Sequence, residues 1–381
     1  MTVNVALIGY GAAARIFHAP LIAGVPGLTL AVVCSSRMSD VLADWPQVQV
    51  LATPHETLNH PDVDLVVIAT PNESHYPLAL AALLAGKHVV VDKPCTVTLA
   101  QTEHLLQVAR QQGRVLTVFQ NRRLDSDFLA LQQVLDSRVL GRVVEVNAHF
   151  DRYRPVVPQR WREQDQPGAG LWVDLGAHLV DQALQLWGVP DAFSLDLAVV
   201  RDGALVNDWF HAVLRYQHAD GARRVILHAS TLVAETGPRW VVHGTKGSFI
   251  KFGLDSQEDA LKAGLRPQLD DMKDWGVDPS PGQLVYWSAI PGVNEPVCIR
   301  QAAPNPPGNY LDYYANLRDH LCGRAELMVT PDQVLQVMQM LTMGQERAQL
   351  GDAVVCGLQN TQLGDQAADK GVTPRMTGIS V

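Results

Sequence analysis

Residues 3–14 read Val-Asn-Val-Ala-Leu-Ile-Gly-Tyr-Gly-Ala-Ala-Ala, and this stretch decides the fold of the first part of the chain. The run Val3–Ile8 is short and almost wholly apolar, as in a strand buried on both faces of a parallel sheet. Gly9 permits a tight turn, Gly11 lets a pyrophosphate approach the backbone, and the small Ala14 lets a helix pack on the strand. The start of that helix offers free N–H groups and a positive dipole to phosphates. The stretch therefore predicts a dinucleotide-binding turn, with a purely structural tight turn as the alternative.

Further apolar runs continue this pattern, at Leu28–Val33, Leu65–Ala69, His88–Val91 and Val115–Phe119. Helical stretches separate several of them, namely a stretch that ends near Ile22, Pro77–Ala85 and Leu99–Gln112. Short apolar strands that alternate with helices form a parallel sheet covered on both faces. The sequence thus predicts an α/β fold whose first domain, residues 1–121, is a doubly wound Rossmann sheet.

The pattern changes after residue 121. A helix at Asp127–Asp136 precedes runs of alternating or β-branched character at Arg142–Phe150, Phe193–Val200, Trp209–Tyr216, Arg223–Ser230, Arg239–His243 and Ser248–Phe252. Hairpin residues join several of these runs, which predicts an open antiparallel sheet with helices on one face. The remaining segments are helices at Leu171–Trp187, Tyr310–Leu321 and Pro331–Ala348, and a surface excursion at 255–308. We expect an α+β domain over residues 122–350, for substrate binding and dimerisation, and a loosely ordered tail over 351–381.

Composition narrows the class of partner. The length of 381 residues suggests two domains, and a net charge of −9 is unfavourable for binding nucleic acid. No apolar run approaches the roughly 20 residues of a membrane span, and the N-terminus shows no export signal. The five scattered cysteines indicate neither a disulfide framework nor a zinc knuckle. We expect a cytoplasmic protein with a small-molecule substrate, no nucleic-acid or membrane partner, and, because a large apolar sheet face is seldom left in water, a homodimer or a dimer of dimers.

The residues after the second predicted strand indicate which dinucleotide is bound. An NAD-binding domain usually carries Asp or Glu at this point to hold the ribose hydroxyls. Here the chain reads Cys34-Ser35-Ser36-Arg37, and the first acid is Asp40. A guanidinium can bind a 2′-phosphate through paired hydrogen bonds, and the serine hydroxyls can donate to it. These residues favour NADP over NAD; a solvated arginine in a polar turn is the alternative.

Two other stretches carry groups suited to catalysis. Lys93 follows the strand His88–Val91, at the sheet edge where ligands bind, and precedes Pro94, whose peptide bond can be cis. Asp174 and His178 are four residues apart on a predicted helix and share one face. A carboxylate one turn from a histidine can orient the ring and raise its basicity. A surface lysine and a core histidine capped by an acid are the alternatives, and we expect no metal because no further ligands lie at suitable spacing.

Cations and aromatic rings are interleaved at 152–154 (Arg-Tyr-Arg) and 160–162 (Arg-Trp-Arg). In an acidic protein this pattern favours a rim that faces an anion or a polyol over a nucleic-acid patch. A solvated loop is the alternative.

These motifs, in this order, resemble those of the glucose–fructose oxidoreductase and inositol dehydrogenase family, Gfo/Idh/MocA. The shared features are the glycine turn, Thr70-Pro71-Asn72 with His75, Asp92-Lys93-Pro94, and the helix with Gly170, Asp174, His178 and Asp181. The family usually has Glu-Lys-Pro, so Asp92 is a departure that keeps the lysine. The resemblance covers about residues 1–350. Further stretches are similar to NADP-using scyllo-inositol dehydrogenases: Phe17–Leu21, Gln120–Arg123, Arg152–Pro155, Arg160–Glu163 and Gln257–Leu261.

The resemblance implies an oxidoreductase that transfers a hydride between a ring secondary alcohol of a cyclic polyol, such as scyllo-inositol, and a nicotinamide. His178 would take the hydroxyl proton, Lys93 would polarise the oxygen, and Asp174 would orient the substrate or the imidazole. The implied cofactor site consists of Gly9, Tyr10, Gly11, Ala14, Ser35, Ser36, Arg37, Thr70, Pro71, Asn72, His75, Lys93, Pro94 and Asn121. One alternative is a dehydrogenase of another sugar or cyclic carbonyl. The other is a non-catalytic ligand sensor on the same fold, which would need neither Lys93 nor His178.

Overall fold

The first domain is built on a parallel sheet of six strands in the computed structural model, which describes residues 2–292, 294–349 and 355–356. The strands are β1 Val3–Ile8, β2 Leu28–Cys34, β3 Gln49–Leu51, β4 Leu65–Ile68, β5 His88–Val91 and β6 Leu116–Val118. They lie in the order β3-β2-β1-β4-β5-β6, with every neighbouring pair parallel. The strand order reverses between β1 and β4, and ligands bind beside such a reversal at the carboxyl ends of the strands. The predicted doubly wound domain is confirmed.

Helices cover both faces of this sheet. They are α1 Ala19–Ala23, α2 Met38–Asp44, α3 Pro54–Leu58, α4 His75–Leu84 and α5 Leu99–Gln112. All four side chains of β4 are buried, with Leu65 and Val67 in one apolar cluster and Val66 and Ile68 in the other. This two-sided burial explains why the strand is continuously apolar rather than alternating. The sequence did not predict α2, α3 or β3, which are short and only partly buried.

The second domain contains a sheet of nine strands. These are β7 Val143–His149, β8 Ala192–Ala198, β9 Trp209–His218, β10 Gly221–Ser230, β11 Trp240–Gly244, β12 Gly247–Lys251, β13 Gln283–Ser288, β14 Val297–Ala302 and β15 Val355–Cys356. Their order is β14-β13-β12-β11-β7-β10-β9-β8-β15. The helices of this domain are α6 Ser126–Asp136, α7 Ala177–Trp187, α8 Gln257–Lys262, α9 Leu311–Leu321 and α10 Pro331–Gln349.

One face of this sheet is covered and the other is open, as predicted. Along β9 the side chains of Phe210, Ala212 and Leu214 are buried, while the intervening side chains are only partly buried. The strand therefore alternates in the way of a sheet with one face in the core. The expected homodimer would join two such open faces, and it stays a prediction.

Two expectations for this domain need correction. The sheet is mixed rather than wholly antiparallel, because β7 and β10 run parallel to each other; they are separated by α7 and two strands, and the hairpin signals indicated only consecutive pairs. The segment 255–308 is not merely a surface excursion, since it contains α8, β13 and β14. Its two strands lie at the end of the sheet and are largely exposed, so they carry little apolar periodicity.

Three further expectations concern the chain as a whole. The predicted loose tail over 351–381 lies outside the described residues, apart from Val355–Cys356, which pair with β8. Among the described residues, no helix combines the length and the apolar character needed to cross a membrane. Cys34, Cys95, Cys298 and Cys322 are free thiols.

Candidate active site

The glycine turn at the end of β1 has the shape needed to hold a dinucleotide. Gly9 has φ +93°, and a Cβ there would lie 2.8 Å from the carbonyl oxygen of Ala69, so a larger residue would displace the end of β4. A Cβ on Gly11 would meet nothing within 4 Å, which leaves space beside the backbone for a ligand. Ala14 is fully buried and begins a π-helical turn that leads into α1. The turn thus fits a pyrophosphate at the start of a helix.

A cavity of about 490 Å³ adjoins this turn. Tyr10, Gly11 and Arg37 line it, together with residues from the end of α2 and from α8. The guanidinium of Arg37 is exposed and has no ion pair with any residue that the structure describes. The Ser35 hydroxyl accepts a hydrogen bond of 3.0 Å from the Arg37 backbone N–H and shapes this turn. Arg37, which the sequence predicts to bind a 2′-phosphate, therefore lies at the cavity beside the glycine turn.

The same cavity contains carboxylates that the sequence did not place there, since Asp40 and Asp44 also line it. Asp44 accepts a hydrogen bond of 2.8 Å from the Tyr10 hydroxyl, and its carboxylate lies 2.7 Å from Nε of Arg15. These two partners offset the negative charge of Asp44. Arg37 remains as a cation that is free to meet a ligand phosphate.

Lys93 and Asp174 form the centre of the second part of the site. Lys93 follows β5, and its peptide bond to Pro94 is cis. The Lys93 Nζ donates to Oδ1 of Asp174 at 2.6 Å and to the Asp174 carbonyl oxygen at 2.6 Å. Burial lowers the pKa of Lys93, although the neighbouring Asp174 opposes that shift. The ammonium is therefore fixed in place by contacts from the second domain.

Asp174 lies in a π-helical turn, Trp172–Gly176, immediately before α7. Such turns inside helices occur frequently at functional sites. The indole of Trp172 is fully buried and donates to the carbonyl oxygen of Leu341 at 3.0 Å, which fixes this turn against α10. Burial would raise the pKa of Asp174, but Lys93 and Arg162 hold that pKa well below its usual range. The carboxylate is ionised and serves to orient the cations beside it.

His178 lies in the first turn of α7 and is buried. Its Nδ1 has no hydrogen-bond partner within the described parts of the chain. Burial lowers the pKa of His178 well below its usual value, and the nearby cations Lys93 and Arg122 lower it further. The imidazole is therefore neutral near pH 7 and able to accept a proton, and a buried nitrogen without a partner marks a place for a ligand group.

Three further residues predicted to contact the cofactor, His75, Asn72 and Asn121, are buried. Both ring nitrogens of His75 are engaged, with Nδ1 2.9 Å from the Pro94 carbonyl oxygen and Nε2 3.0 Å from that of Thr70. His75 thus connects the turn after β4 to the Lys93–Pro94 peptide and holds these two segments in place. Asn72 is buried and donates to the Gly168 carbonyl at 3.0 Å, which links Pro71-Asn72 to the second domain. Asn121 is buried at the start of a 3₁₀ turn that follows β6.

The arginine-rich stretches form part of the same site. Arg152, Arg154, Arg160 and Arg162 line one cleft together with Asp174. The Arg162 guanidinium lies 3.6 Å from the Asp174 carboxylate. The arginines of both stretches therefore lie in one cleft with Asp174, and a role in facing an anion or a polyol stays a prediction.

Three buried ion pairs that sequence reasoning missed hold this rim and α7. Arg201 contacts both Glu163 and Asp208, at 2.6 and 2.7 Å. Asp181, which shares a helix with His178, accepts two hydrogen bonds from the guanidinium of Arg123, at 2.8 and 2.6 Å. Asp181 thus anchors α7 and is not a reacting group. The spacing of Asp174, His178 and Asp181 placed all three on one helix face, but it did not reveal the distant partner of Asp181.

Comparison with known proteins identifies the family of the chain. The family description "Oxidoreductase family, NAD-binding Rossmann fold" matches residues 3–120, and "Oxidoreductase family, C-terminal alpha/beta domain" matches residues 132–356. The uncharacterized oxidoreductase YdgJ of Escherichia coli is 50% identical over 91% of this chain and 96% of that protein. The scyllo-inositol 2-dehydrogenase (NADP(+)) IolW of Bacillus subtilis is 34% identical over 91% of this chain and 93% of that protein.

Among solved structures, the YPO2259 protein of Yersinia pestis superposes with a TM-score of 0.86 at 48% identity, over 94% of this chain and 98% of that one. Together, these matches extend across both domains. The chain belongs to the Gfo/Idh/MocA family of oxidoreductases, with an NAD(P)-binding Rossmann domain.

Proposed function

We propose that this oxidoreductase is an NADP-dependent dehydrogenase of a cyclic polyol, with scyllo-inositol and its ketone as the candidate pair. The observation that carries the proposal is the arrangement of Lys93, Asp174 and the unpartnered, neutral His178 at the carboxyl edge of the parallel sheet. A relative that is 34% identical bears the name of an NADP-dependent scyllo-inositol dehydrogenase, which supports the choice of substrate.

The dinucleotide fits residues of the first domain. The turn with Gly9 and Gly11 would hold the pyrophosphate, and Arg37 with Ser36 would hold a 2′-phosphate. When bound, the nicotinamide supplies the hydride acceptor for the alcohol, or the hydride donor for the ketone. A non-catalytic sensor would have no use for the ordered Lys93 pair or for a neutral buried histidine.

The side chains account for the proton and for the charge on oxygen. In the oxidation direction, the ring carbon loses a hydride and its hydroxyl loses a proton, so the C–O bond becomes C=O. His178, being neutral, accepts that proton. The Lys93 ammonium donates a hydrogen bond to the same oxygen and stabilises the negative charge that develops on it. Asp174 keeps Lys93 in position, and a general acid–base group of this kind contributes about 10²- to 10⁴-fold in rate.

One specific observation favours a second candidate, a dehydrogenase of an acidic ring sugar. The guanidinium of Arg152 is mostly buried and lies over the Phe150 ring at 4.8 Å, without a hydrogen-bond acceptor among the described residues. Burial lowers the pKa of Arg152 to about 10. A carboxylate or phosphate on the substrate would pair with this cation, whereas an uncharged polyol would offer it hydroxyl oxygens.

The experiment is a turnover screen that follows nicotinamide absorbance. Inositols, neutral sugars, sugar acids and sugar phosphates are each offered with NADP and with NAD. The proposal predicts turnover with scyllo-inositol and NADP, and turnover only with acidic sugars would establish the second candidate instead. Binding of dinucleotide without turnover of any compound would support the sensor.

The variants Lys93→Met and His178→Ala test whether Lys93 and His178 carry out the reaction. Each should lower kcat by about 10²- to 10⁴-fold while the protein stays folded by circular dichroism. Lys246→Met is the matched control. It removes an exposed lysine that is not part of the proposed site, so it should leave kcat unchanged. Near-normal turnover in both site variants would refute the catalytic assignment.

A further inference from the structure

A cluster of two histidines and an aspartate lies on the open face of the second-domain sheet, away from the groups that the proposed reaction uses. His149 of β7 and His228 of β10 are direct partners in the parallel pair that joins these strands. Asp151 follows His149 by two residues and therefore points to the same side of the extended chain. The intervening positions, Ala148 and Phe150, are buried in the core. The three polar side chains thus converge on the face opposite the covering helices.

The distances within the cluster are those of ligands around a single ion. Nδ1 of His149 lies 3.1 Å from Oδ2 of Asp151, and Nε2 of His228 lies 3.4 Å from Oδ1 of Asp151. One ligand atom from each residue can be chosen so that all three lie within 4.8 Å of one another. A tetrahedral ion with bonds of about 2.0–2.1 Å separates its ligand atoms by about 3.3 Å. Small rotations of these side chains would produce that arrangement.

An unsatisfied carboxylate oxygen points to a missing cation. The Asp151 side chain is only 8% exposed, and its buried Oδ1 has no hydrogen-bond partner in the described parts of the chain. A buried carboxylate oxygen without a partner carries a large desolvation penalty. The ring nitrogen Nε2 of His228 lies 3.4 Å from this oxygen.

The tautomer of His228 follows from its other nitrogen. Nδ1 lies 2.7 Å from the carbonyl oxygen of Phe210, which can only accept, so Nδ1 carries the hydrogen. In the neutral ring, Nε2 then carries a lone pair that faces the Asp151 oxygen. Two hydrogen-bond acceptors therefore lie opposite each other. A bound cation between the two atoms would remove this conflict.

We propose that His149, Asp151 and His228 form a binding site for a divalent transition-metal ion of the zinc class. Two imidazoles and one carboxylate are ligands that such ions prefer, and water would complete the coordination. The ion would link β7 to β10, the parallel pair of the sheet, and it would stabilise the second domain without entering the reaction. The expectation of no metal rested on the spacing around Asp174 and His178, and it did not consider residues that are brought together from distant strands.

The test uses the full-length protein, first stripped of metal with a chelator. Zinc is then titrated by calorimetry, and metal content is measured by plasma emission after desalting. The proposal predicts one bound zinc ion per chain and a higher melting temperature in the presence of zinc, because a ligand that binds only the folded state stabilises it. His149→Gln, the variant at the most exposed of the three side chains, and Asp151→Asn should each weaken zinc binding at least tenfold and abolish the rise in melting temperature.

His243→Gln is the matched control, because His243 lies on the same face, opposite Glu145 in the register, but outside the cluster. It should bind zinc as the unaltered protein does. A protein that binds no zinc would overturn the proposal, as would equal loss of binding in the control variant, which would indicate diffuse surface histidines. A crystal soaked in zinc should show an anomalous peak between the three side chains, and a peak elsewhere alone would refute the site. Because dehydrogenase activity is not the readout, failure of the proposed reaction leaves this test intact.

Discussion

Removal of the Arg37 guanidinium tests how the protein distinguishes its two possible cofactors. Arg37 lines the cavity beside the glycine turn and is exposed, without an ion pair to any described residue. A charge-assisted hydrogen bond contributes about 1.5–3 kcal/mol, and about 1.4 kcal/mol corresponds to tenfold in affinity. Because solvent screens an exposed guanidinium, the lower end of that range applies. Arg37→Ala should therefore raise the KM for NADP by about tenfold.

The KM for NAD should stay nearly unchanged in the same variant, because NAD lacks the 2′-phosphate. Steady-state kinetics with each dinucleotide at saturating polyol measure both values. The preference for NADP should also shrink as salt is raised, since the proposed contact is exposed. Arg110→Ala, which removes an exposed arginine from α5, controls for the change in net charge and should alter neither KM. Equal weakening of both cofactors, or a preference of the unaltered protein for NAD, would refute this role of Arg37.

Three further predictions concern the proton acceptor, the anchoring of α7 and assembly. Burial holds the pKa of His178 well below its ordinary value of about 6.5, so loss of kcat/KM through protonation of His178 should begin only below pH 6.5. A pH profile in which kcat/KM already falls at or above pH 6.5 would contradict this prediction. Asp181→Ala should lower the free energy of unfolding by about 3–5 kcal/mol in urea denaturation, because it leaves the buried Arg123 without its carboxylate; an unchanged midpoint would argue against the anchor. Light scattering should show that the unaltered protein is a homodimer and that the Ile226→Arg variant, altered on the open sheet face, is a monomer. A monomeric unaltered protein would contradict the expected interface between open sheet faces.

The Rossmann domain was predictable because its signals are local. The bounds of β1, β5 and α5 agree with the predicted runs at Val3–Ile8, His88–Val91 and Leu99–Gln112. The residues within each of these elements determine its burial or its cap. For example, the capping box at Thr98 begins α5. By contrast, β13 and β14 are exposed at the end of the second sheet and depend on pairing for their order.

The sequence indicated partners within the site where the family resemblance supplied them, and it did not where distant segments meet only in the fold. Lys93 and Asp174 were expected to act together, and the structure places the lysine nitrogen 2.6 Å from the carboxylate. The sequence identified Asp40 as the first acid after Arg37, but it did not reveal that α2 brings Asp44 to the same cavity. Likewise, Asp151 and His228 become neighbours only through the parallel pairing of β7 with β10. The cytoplasmic location and the dimer stay predictions.

Transfer of an isotopic label from the polyol ring to the dinucleotide distinguishes hydride transfer from binding alone. The purified protein is incubated in a single turnover with NADP and scyllo-inositol that carries deuterium on its ring carbons, and the dinucleotide is examined by mass spectrometry. The proposed function predicts one deuterium on the reduced NADP, formed by the unaltered protein and greatly diminished with Lys93→Met. Dinucleotide that binds but acquires no label from any ring polyol would contradict the account.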